Sequence, residues 1–520
     1  SVDGGANWTF VSAPALFGAE EGDGEQGSYN QMIAVDPTQA NRLFVGTNLT
    51  LWRSQDGGLT WTNLTQWMGG GRVYVHADYH VSAWSRQGPK ALYMGTDGGL
   101  AIVRDPERAT IPSAGGTTYV PSDPTFIDHR RNKGVATHLI YHLGSTNAQT
   151  PADARYRVSI GLQDMGTRLR TGANLASSST FDLKIGGDGF GTLIHPHNGD
   201  LVLGSLYFSR IYRSANGGSS WSGATGIAEA NNDSLAPFFT RLFLGEADPS
   251  GDTVYTFTNT KVYESKDFGR TWTALGTTGF PTSSLFLRAV GTAASDPLTL
   301  GALSNGGRVW MSKDGGKTWS QKTNPPNNGA SLSWIAFDPT QADTVYVASV
   351  AQSSTFAHLW RSTDGGSTWT AIDGATTGFP TGIPVHCIKV DPVSPSTLYA
   401  GTDFGVYRSP NSGGTWERHG SGLPLVSVRD IYLAPDSSFM RIGTHGRGVW
   451  ELPPPTTPTP PQVLVQPRPA QAVAGQSASF SVTATGSFPL AYQWRKNGQD
   501  IDGAQLPYYR FQPTMADHQA

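Results

Sequence analysis

Cysteine, charge and long apolar runs are all scarce in this chain of 520 residues. Its single cysteine, Cys387, gives no metal or redox spacing and lies in a strand-like run, which predicts a small buried residue. Charged residues make up only 15%, with 37 basic against 40 acidic, so the charge pattern argues against nucleic acid or an anionic membrane as partner. No apolar run reaches the roughly 18 residues of a membrane span.

Glycine, proline and tryptophan are plentiful instead, at 63, 34 and 15 residues. This composition predicts many short strands joined by tight turns and little helix. The first residues, Ser1 to Trp8, already resemble the folded repeat described next. We therefore expect an exported protein, extracellular or at the cell surface, whose export signal lies upstream of Ser1.

A short motif, Ser-x-Asp-x-Gly-x-Thr-Trp, organises the chain. Its copies begin at Ser1, Ser54, Ser214, Ser265, Ser312, Ser362 and Ser409. The acidic position holds Asp3, Asp56, Asn216, Asp267, Asp314, Asp364 and Asn411. A short Asp or Asn side chain accepts backbone N–H groups and the glycines adopt conformations closed to other residues, so the motif predicts a hairpin closure with a structural role.

The spacing of the motif defines the repeat. Successive opening serines lie 53, 160, 51, 47, 50 and 47 residues apart, so the long gap holds two degenerate copies of a unit of about fifty residues. Each unit contains four strand-like segments, which predicts a four-stranded antiparallel blade. We expect one propeller of about nine blades, within a range of 7–10. The last unit offers three strands, and Trp8 to Val11 would supply its fourth and close the ring.

On these motifs the segment from Ser1 to Leu452 resembles the Asp-box (BNR) propellers of sialidases, xyloglucan-degrading glycoside hydrolases, sortilin-type receptors and photosystem assembly factors. The motif is specific for the fold and nearly silent on function. A Pro/Thr-rich linker follows at 453–461. Residues 462–520 resemble a bacterial immunoglobulin-like domain that is incomplete at its C-terminus, with predicted strands at 478–484 and 492–498 and a core Trp494.

In such blades the turn between strands two and three lies opposite the motif, at the rim where propellers usually bind ligands. The position after Gly-Thr at the end of strand two holds Asn48, Asp97, Asp403 and His445. These side chains are either turn residues that cap their own backbone or ligand-binding groups. We count Asp403, His445 and the nearby Arg447 among the candidate ligand-binding residues.

The degenerate units between Trp61 and Ser214 depart most from the repeat. In Val75-His76-Ala77-Asp78-Tyr79-His80 the polar residues alternate, so on an innermost strand His76, Asp78 and His80 would project from one face. Two interpretations stay open: a site for a divalent metal or a proton relay, and a hydrogen-bonded polar cluster that fills the channel. No cofactor is required by either.

Two further segments would place carboxylates at the same rim. Gln163 and Asp164 follow Gly161-Leu162, and Asp188 lies in Gly186-Gly187-Asp188-Gly189. With Asp97, either Asp164 or Asp188 could form the acid/base pair of a glycosidase.

The resemblance bears on Asp97 as well. The xyloglucan-degrading enzymes carry a catalytic Asp in a Thr-Asp-Val-Gly-Gly turn, which Thr96-Asp97-Gly98-Gly99 partly matches, but they hold substrate between two propellers and only one is evident here. No sialidase set of three arginines with a Tyr/Glu pair can be assigned.

Three hypotheses of function follow. The first is a secreted or surface propeller that binds a polysaccharide or a surface protein at the channel mouth. The second is a glycoside hydrolase that uses Asp97 with Asp164 or Asp188. The third is an architectural part of a surface assembly.

Overall fold

The computed structural model describes residues 6–10, 29–67, 71–113, 124–128, 137–146, 157–171, 180–280, 286–435, 437, 439–452, 460–467, 478–485, 492–505, 508–514 and 517. The chain divides into two compact units, Ser1–Ala136 and Thr137–Ala520, which we call unit one and unit two. Strands make up the regular structure, and the one helical segment of the described residues is a 3-10 turn at Ala375–Thr377. No described helix is long and apolar enough to cross a membrane. The predicted all-β class is confirmed.

Unit one contains two antiparallel four-stranded sheets in which each strand pairs with the next along the chain. The first comprises β1 (Met32–Asp36), β2 (Gln39–Gly46), β3 (Leu51–Ser54) and β4 (Thr62–Asn63). The second comprises β5 (Tyr79–Trp84), β6 (Leu92–Thr96), β7 (Gly99–Val103) and β8 (Ile127–Asp128). Phe44, Tyr79 and Met94 belong to one apolar cluster drawn from both sheets, so the sheets pack face to face.

Unit two repeats this sheet. Its first four sheets are β9 (Ile140–Ser145), β10 (Val158–Leu162), β11 (Gly166–Arg170) and β12 (Asp182–Ile185); β13 (Thr192–Ile194), β14 (Val202–Ser205), β15 (Ile211–Ser214) and β16 (Ser222–Gly223); β17 (Phe243–Leu244), β18 (Val254–Phe257), β19 (Val262–Ser265) and β20 (Thr273–Ala274); β21 (Leu287–Ala293), β22 (Asp296–Ser304), β23 (Val309–Ser312) and β24 (Ser320–Gln321).

Three further sheets complete the series. They are β25 (Leu332–Asp338), β26 (Gln341–Ser349), β27 (Leu359–Ser362) and β28 (Thr370–Ala371); β29 (Val385–Val390), β30 (Leu398–Thr402), β31 (Gly405–Ser409) and β32 (Glu417–His419); and the three-stranded β33 (Val428–Leu433), β34 (Met440–Thr444) and β35 (Val449–Leu452). Every residue of β30 and β34 is buried, because neighbouring sheets cover both faces of these strands.

The seven first strands of unit two border one cavity of about 150 Å³. Each strand contributes side chains, among them His142, Leu193, Phe243, Val290, Trp334, Lys389 and Asp430. The last sheet packs on the first, since β33 and β34 contact β9. The backbone N–H of Leu143 donates to Asp430 Oδ2 at 2.9 Å, and Arg441 Nη1 donates to Ser145 Oγ at 2.6 Å. Unit two is therefore a closed ring of seven sheets.

The predicted closure differs from this. Unit two closes without N-terminal residues, and the predicted number of about nine blades stays a prediction. Residues 6–10 form no strand, and Trp8 and Phe10 are 81% and 87% exposed, so the strand predicted at Trp8 to Val11 is wrong for these residues; Val11 lies outside the described ones. The apolar character of Trp8 and Phe10 suggested a buried strand, which no sheet in the described part of unit one accommodates.

The repeated motif lies at the turn between strands three and four in each of its six described copies. At Ser312 the hydroxyl donates to Asp314 Oδ1 (2.7 Å), and Asp314 accepts the N–H and the hydroxyl of Thr318 at 3.0 and 2.6 Å. These hydrogen bonds, the one from the Thr318 hydroxyl above all, lower the pKa of Asp314 to about 2. The motif thus clasps a hairpin, while Trp319 Nε1 donates to Gly276 O of the preceding repeat at 3.0 Å. The first copy, with Asp3, lies largely outside the described residues.

The segment after Leu452 contains short strands. They pair as β36 (Gln462–Val465) with β38 (Thr483–Thr485), β37 (Ala478–Ser481) with β41 (Tyr508–Phe511), and β39 (Arg495–Lys496) with β40 (Gln499–Asp500). The strand predicted at 478–484 is interrupted at Val482, and the one predicted at 492–498 shrinks to Arg495–Lys496. The rings of Trp494 and Phe480 lie 6.2 Å apart. The immunoglobulin-like assignment stays a prediction, and residues 453–459 of the linker lie outside the described ones.

Candidate functional site

A β-bulge recurs near the start of the first strand in six sheets. One residue there has no partner on strand two, so its side chain is released from the regular alternation. The bulged residues are His80, Tyr141, Arg288, Ser333, His386 and Arg429. All six are polar and lie at the end of the blade opposite the motif, which makes this rim the candidate site in each unit.

In three of the six sheets the bulged side chain forms a hydrogen bond with the residue that follows strand two. In unit one His80 Nε2 lies 2.7 Å from Asp97 Oδ1. In unit two His386 Nε2 lies 2.7 Å from Asp403 Oδ1, and Tyr141 OH donates to Gln163 Oε1 at 2.9 Å. Three of the predicted positions at the end of strand two therefore hold hydrogen-bond partners of bulged residues. The sequence analysis named His80 without assigning Asp97 as its partner, and it missed Tyr141 and His386.

In unit one Asp97 and Asp78 form a pair of carboxylates. Asp97 Oδ2 also accepts Tyr29 OH at 2.9 Å, and Asp78 accepts Asn30 Nδ2. Oxygen atoms of the two carboxylates lie within 4.8 Å of each other. Burial raises the pKa of Asp78, and the negative charge of Asp97 raises it further, while Asn30 and the neighbouring histidines oppose the shift. Proximity and burial thus favour a protonated Asp78 beside Asp97.

The segment that contains His76, Asp78 and His80 is only partly a strand. Val75, Ala77 and Tyr79 are buried, and the three polar residues between them are more exposed, as the alternation predicts. The strand, however, begins at Tyr79, and Asp78 has a φ of 65°, because its N–H turns to Asn48 O (2.5 Å). The prediction of a regular innermost strand through all three is therefore wrong.

The other two residues of that set have separate surroundings. The His76 ring lies 5.9 Å from that of Trp67, and a Cβ on Gly98 would come within 2.2 Å of His76 Cβ. His80 is bound to Asp97. Imidazole nitrogen and carboxylate oxygen atoms are common ligands of divalent metals. A metal role of His76, Asp78 and His80 stays a prediction.

In unit two the predicted residues Asp164 and Asp188 are joined by a hydrogen bond. The backbone N–H of Asp164 donates to Asp188 Oδ1 at 2.8 Å, and Asp164 has a φ of 61°. The approach is close, since a Cβ on Gly161 would lie 1.9 Å from Phe190 O. The glycine-rich segment around Asp188 therefore packs directly on strand β10. Pairing of Asp97 with either carboxylate joins residues of different units and stays a prediction.

Tyr141 lies near these carboxylates, whose charges raise its pKa. It belongs to a cluster of four aromatic residues that we call the aromatic shelf: Tyr141, Phe190, Phe238 and Phe239. The Tyr141 ring stacks on Phe239 with centroids 5.1 Å apart and meets the edge of Phe190 at 5.4 Å. Phe238 and Phe239 remain 38% and 37% exposed. Sequence reasoning missed the shelf; its signal was the adjacent pair Phe238-Phe239 in the connection between two blades.

Of the predicted residues of the last two blades, His445 contacts the shelf. The His445 ring meets Tyr141 edge-on at 5.0 Å, and burial lowers the pKa of His445 to about 4. Burial also lowers the pKa of His386, whereas the hydrogen bond from His386 lowers that of Asp403. Arg447 is exposed and donates to Gly446 O at 2.7 Å, so its hydrogen bond is local.

Three arginines of unit two were also missed: Arg241, Arg288 and Arg429. Two of them occupy bulges, and Arg241 lies just before β17. Burial lowers the pKa of Arg241 to about 10, and the positive charges of Arg288 and Arg429 add to this shift. These arginines lie 47 or more positions apart, so no local sequence signal groups them. They come together because they occupy similar positions in successive repeats.

Comparison with known proteins adds to this geometry. Residues 246–427 match the DUF6242 beta propeller domain. The chain contains a β-propeller. It is 26% identical over 372 residues to a probable oligoxyloglucan-reducing end-specific xyloglucanase of Neosartorya fischeri, a match that spans 66% of this chain and 39% of that protein.

Solved structures give more distant similarities. YCF48 from Cyanidioschyzon merolae has a TM-score of 0.44 at 13% identity, covering 61% of this chain and 96% of that one. A structure of YCF48 bound to D1 peptide has a TM-score of 0.42 at 15% identity, covering 62% and 95%.

Proposed function

We propose that the protein binds a glycan at the rim of unit two, on the aromatic shelf. The observation that carries this proposal is the pair of partly exposed rings, Phe238 and Phe239, packed with Tyr141, whose pKa the charges of Asp164 and Asp188 raise. Sugar rings offer apolar C–H faces to aromatic rings and hydroxyl groups to carboxylate and amide acceptors. We further propose that the protein acts outside the cell, where polysaccharides are accessible.

The surroundings of Tyr141 support a polar contact beside the shelf. Asp164 and Asp188 both raise the pKa of Tyr141, after burial, so their charges lie near its hydroxyl. Gln163 Oε1 accepts that hydroxyl, and the amide nitrogen of Gln163 is a donor. A sugar on Phe239 would therefore have the carboxylates of Asp164 and Asp188 as acceptors and the Gln163 amide as a donor.

Glycan-array binding with the full chain tests the proposal. Phe239→Ala should weaken binding at least about tenfold, since it removes a large apolar contact surface. Leu298→Ala is the matched control, because Leu298 is 52% exposed at the start of β22, at the opposite end of the blade. Equal affinity of the Phe239 variant and wild type would refute a role of the shelf.

Glycoside hydrolysis is the second candidate, and the Asp78/Asp97 pair favours it. Two neighbouring carboxyl groups, one of them with a raised pKa, are an arrangement that glycosidases use for acid catalysis. The printed name of the N. fischeri relative points to the same chemistry, although this chain spans 39% of its length. Release of reducing sugar from xyloglucan oligosaccharides, lost in Asp97→Asn and retained in Asp105→Asn, would support this candidate.

An architectural role in a surface assembly is the third hypothesis from the sequence. It predicts no glycan binding and no sugar release. The two assays above therefore separate all three functions.

A further inference from the structure

Arg241, Arg288 and Arg429 have fewer acidic partners among the described residues than their three positive charges would need. Arg241 Nη1 donates to two carbonyl groups, Ser333 O at 2.7 Å and Arg288 O at 3.3 Å. Arg429 Nη1 donates to the imidazole of His386 at 3.1 Å. The Arg288 guanidinium has no hydrogen-bond or ion-pair partner among the described residues, and the Nε groups of Arg288 and Arg429 are buried without one.

The acidic groups nearby are already committed. The charge of Asp430 raises the pKa of Arg241, and the Asp430 oxygens accept the backbone N–H groups of Leu143 and Ile431, both at 2.9 Å. Asp403, whose pKa the charge of Arg429 lowers, is bound by His386. Three mostly buried guanidinium groups therefore have two nearby carboxylates, both already hydrogen-bonded, so the positive charges repel one another and donors stay unsatisfied.

Arg241 and Arg429 lie close to the aromatic shelf, and Arg288 adjoins Arg241, which donates to its carbonyl at 3.3 Å. Phe239 precedes Arg241 by two residues on the same connection, and the charge of Arg429 acts on the Tyr141 hydroxyl. A ligand on the shelf would thus place a neighbouring substituent against these guanidinium groups. Guanidinium groups bind carboxylates through paired N–H donors, in a geometry that neutral hydroxyl groups do not match.

We propose that the rim of unit two selects acidic glycans, and that Arg288, with Arg241 and Arg429, binds the carboxylate of a uronic acid residue. This inference rests on the proposed glycan binding at the shelf and names its ligand class. Arg288 supplies guanidinium donors that no described residue accepts, and the positive charges of Arg241 and Arg429 strengthen the attraction for the carboxylate.

Binding of polygalacturonate and of a neutral galactan to the full chain, measured by calorimetry, tests the inference. Arg288→Gln should weaken polygalacturonate binding about tenfold to about hundredfold, the range for hydrogen bonds to a charged group, and should leave galactan binding unchanged. Because the Arg288 side chain donates to none of the residues that the structure describes, this variant leaves no acceptor among them unpaired. Arg270→Gln, an exposed arginine of the motif turn, is the matched control and should bind like wild type.

The outcomes separate this inference from the function on which it rests. Equal binding of both polymers, unaffected by Arg288→Gln, overturns acidic selectivity while glycan binding stands. If Arg288→Gln loses polygalacturonate binding and Phe239→Ala loses binding of both polymers, the acidic selectivity and the glycan binding are both supported. Binding of a polyglutamate peptide in place of either polymer overturns both, because the site then recognises an acidic peptide.

Discussion

Arg429 fixes the tautomer of His386. A guanidinium group has only donors, so its Nη1, 3.1 Å from His386 Nδ1, requires that nitrogen to accept. The proton of the neutral ring then lies on Nε2 and is donated to Asp403 at 2.7 Å. The bulge of one blade thus sets the hydrogen bonding of its neighbour.

The first prediction concerns that tautomer. We expect His386 to remain neutral, with the proton on Nε2, at pH 7, since burial and the charge of Arg429 lower its pKa. Nitrogen-15 NMR shifts of the ring report the tautomer directly. In Arg429→Gln the amide can offer either an N–H or a carbonyl to Nδ1, so the preference for the Nε2 proton should weaken. A charged His386 ring at pH 7 would contradict the assignment.

The second prediction is a loss of stability in acid. Burial lowers the folded-state pKa values of His419 and His445 to about 4, below the ordinary histidine value of about 6.5. The unfolded chain therefore binds more protons between these values, and stability should fall as pH decreases from about 6.5 to about 4. We expect His445→Gln to flatten the decline in melting temperature across this window. His197→Gln, at an exposed histidine, should keep the wild-type slope.

The third prediction tests the motif. Asn216 and Asn411 occupy the acidic position in two copies and accept the same Ser and backbone contacts as the aspartates. Asp267→Asn should therefore be nearly neutral, whereas Asp267→Ala should lower the free energy of unfolding by about 1 kcal/mol, as for a lost side-chain cap. Urea unfolding measures both. Equal losses in the two variants would show that the carboxylate charge, not the acceptor geometry, matters.

The fourth prediction compares two glycines of unit two. A Cβ at Gly161 would lie 1.9 Å from Phe190 O, so Gly161→Ala should displace the segment that carries Asp188 and Phe190 and destabilise the protein by about 1–3 kcal/mol. A Cβ at Gly186 meets nothing within 4 Å, and Gly186→Ala should be tolerated. Thermal unfolding and glycan binding of the two variants check this. Unaltered binding and stability in the first would contradict the close packing.

The fifth prediction concerns the carboxylate pair of unit one. If the negative charge of Asp97 helps to hold Asp78 protonated, Asp97→Asn should lower the pKa of Asp78. Carbon-13 NMR titration of the carboxyl groups measures the shift. Asp105→Asn serves as the control and should leave the Asp78 titration in place.

The repeat could be predicted from the sequence because the motif is local. Ser312, Asp314 and Thr318 lie within seven residues, so their hydrogen bonds follow from spacing, and the four-stranded sheet follows from the intervals between motifs. Where the ring closes could not be predicted in this way, since it depends on which sheet covers the far face of β33. The contact of Asp430 with Leu143, 287 residues away, decides this and leaves no local signal.

The sequence predicted at least one residue of each hydrogen-bonded pair in the candidate site but not the pairing itself. Asp97, Gln163 and Asp403 follow strand two and could be found from the repeat, whereas His80, Tyr141 and His386 were not assigned as their partners. A bulge is one extra residue in a register, and a single sequence does not show register. His76 and Asp78 alternate with buried residues as predicted, but their backbone does not form a regular strand, because Asp78 has a positive φ and its N–H donates to Asn48 O.

The bulge has a consequence for how the rim can change. A bulged residue has no cross-strand partner, so its identity is not constrained by the neighbouring strand, and in unit two Tyr, Arg, Ser, His and Arg occupy this position in five blades. Substitution at these positions would alter which ligands the rim prefers while the sheets beneath keep their pairing. The same framework can therefore diversify in specificity one blade at a time.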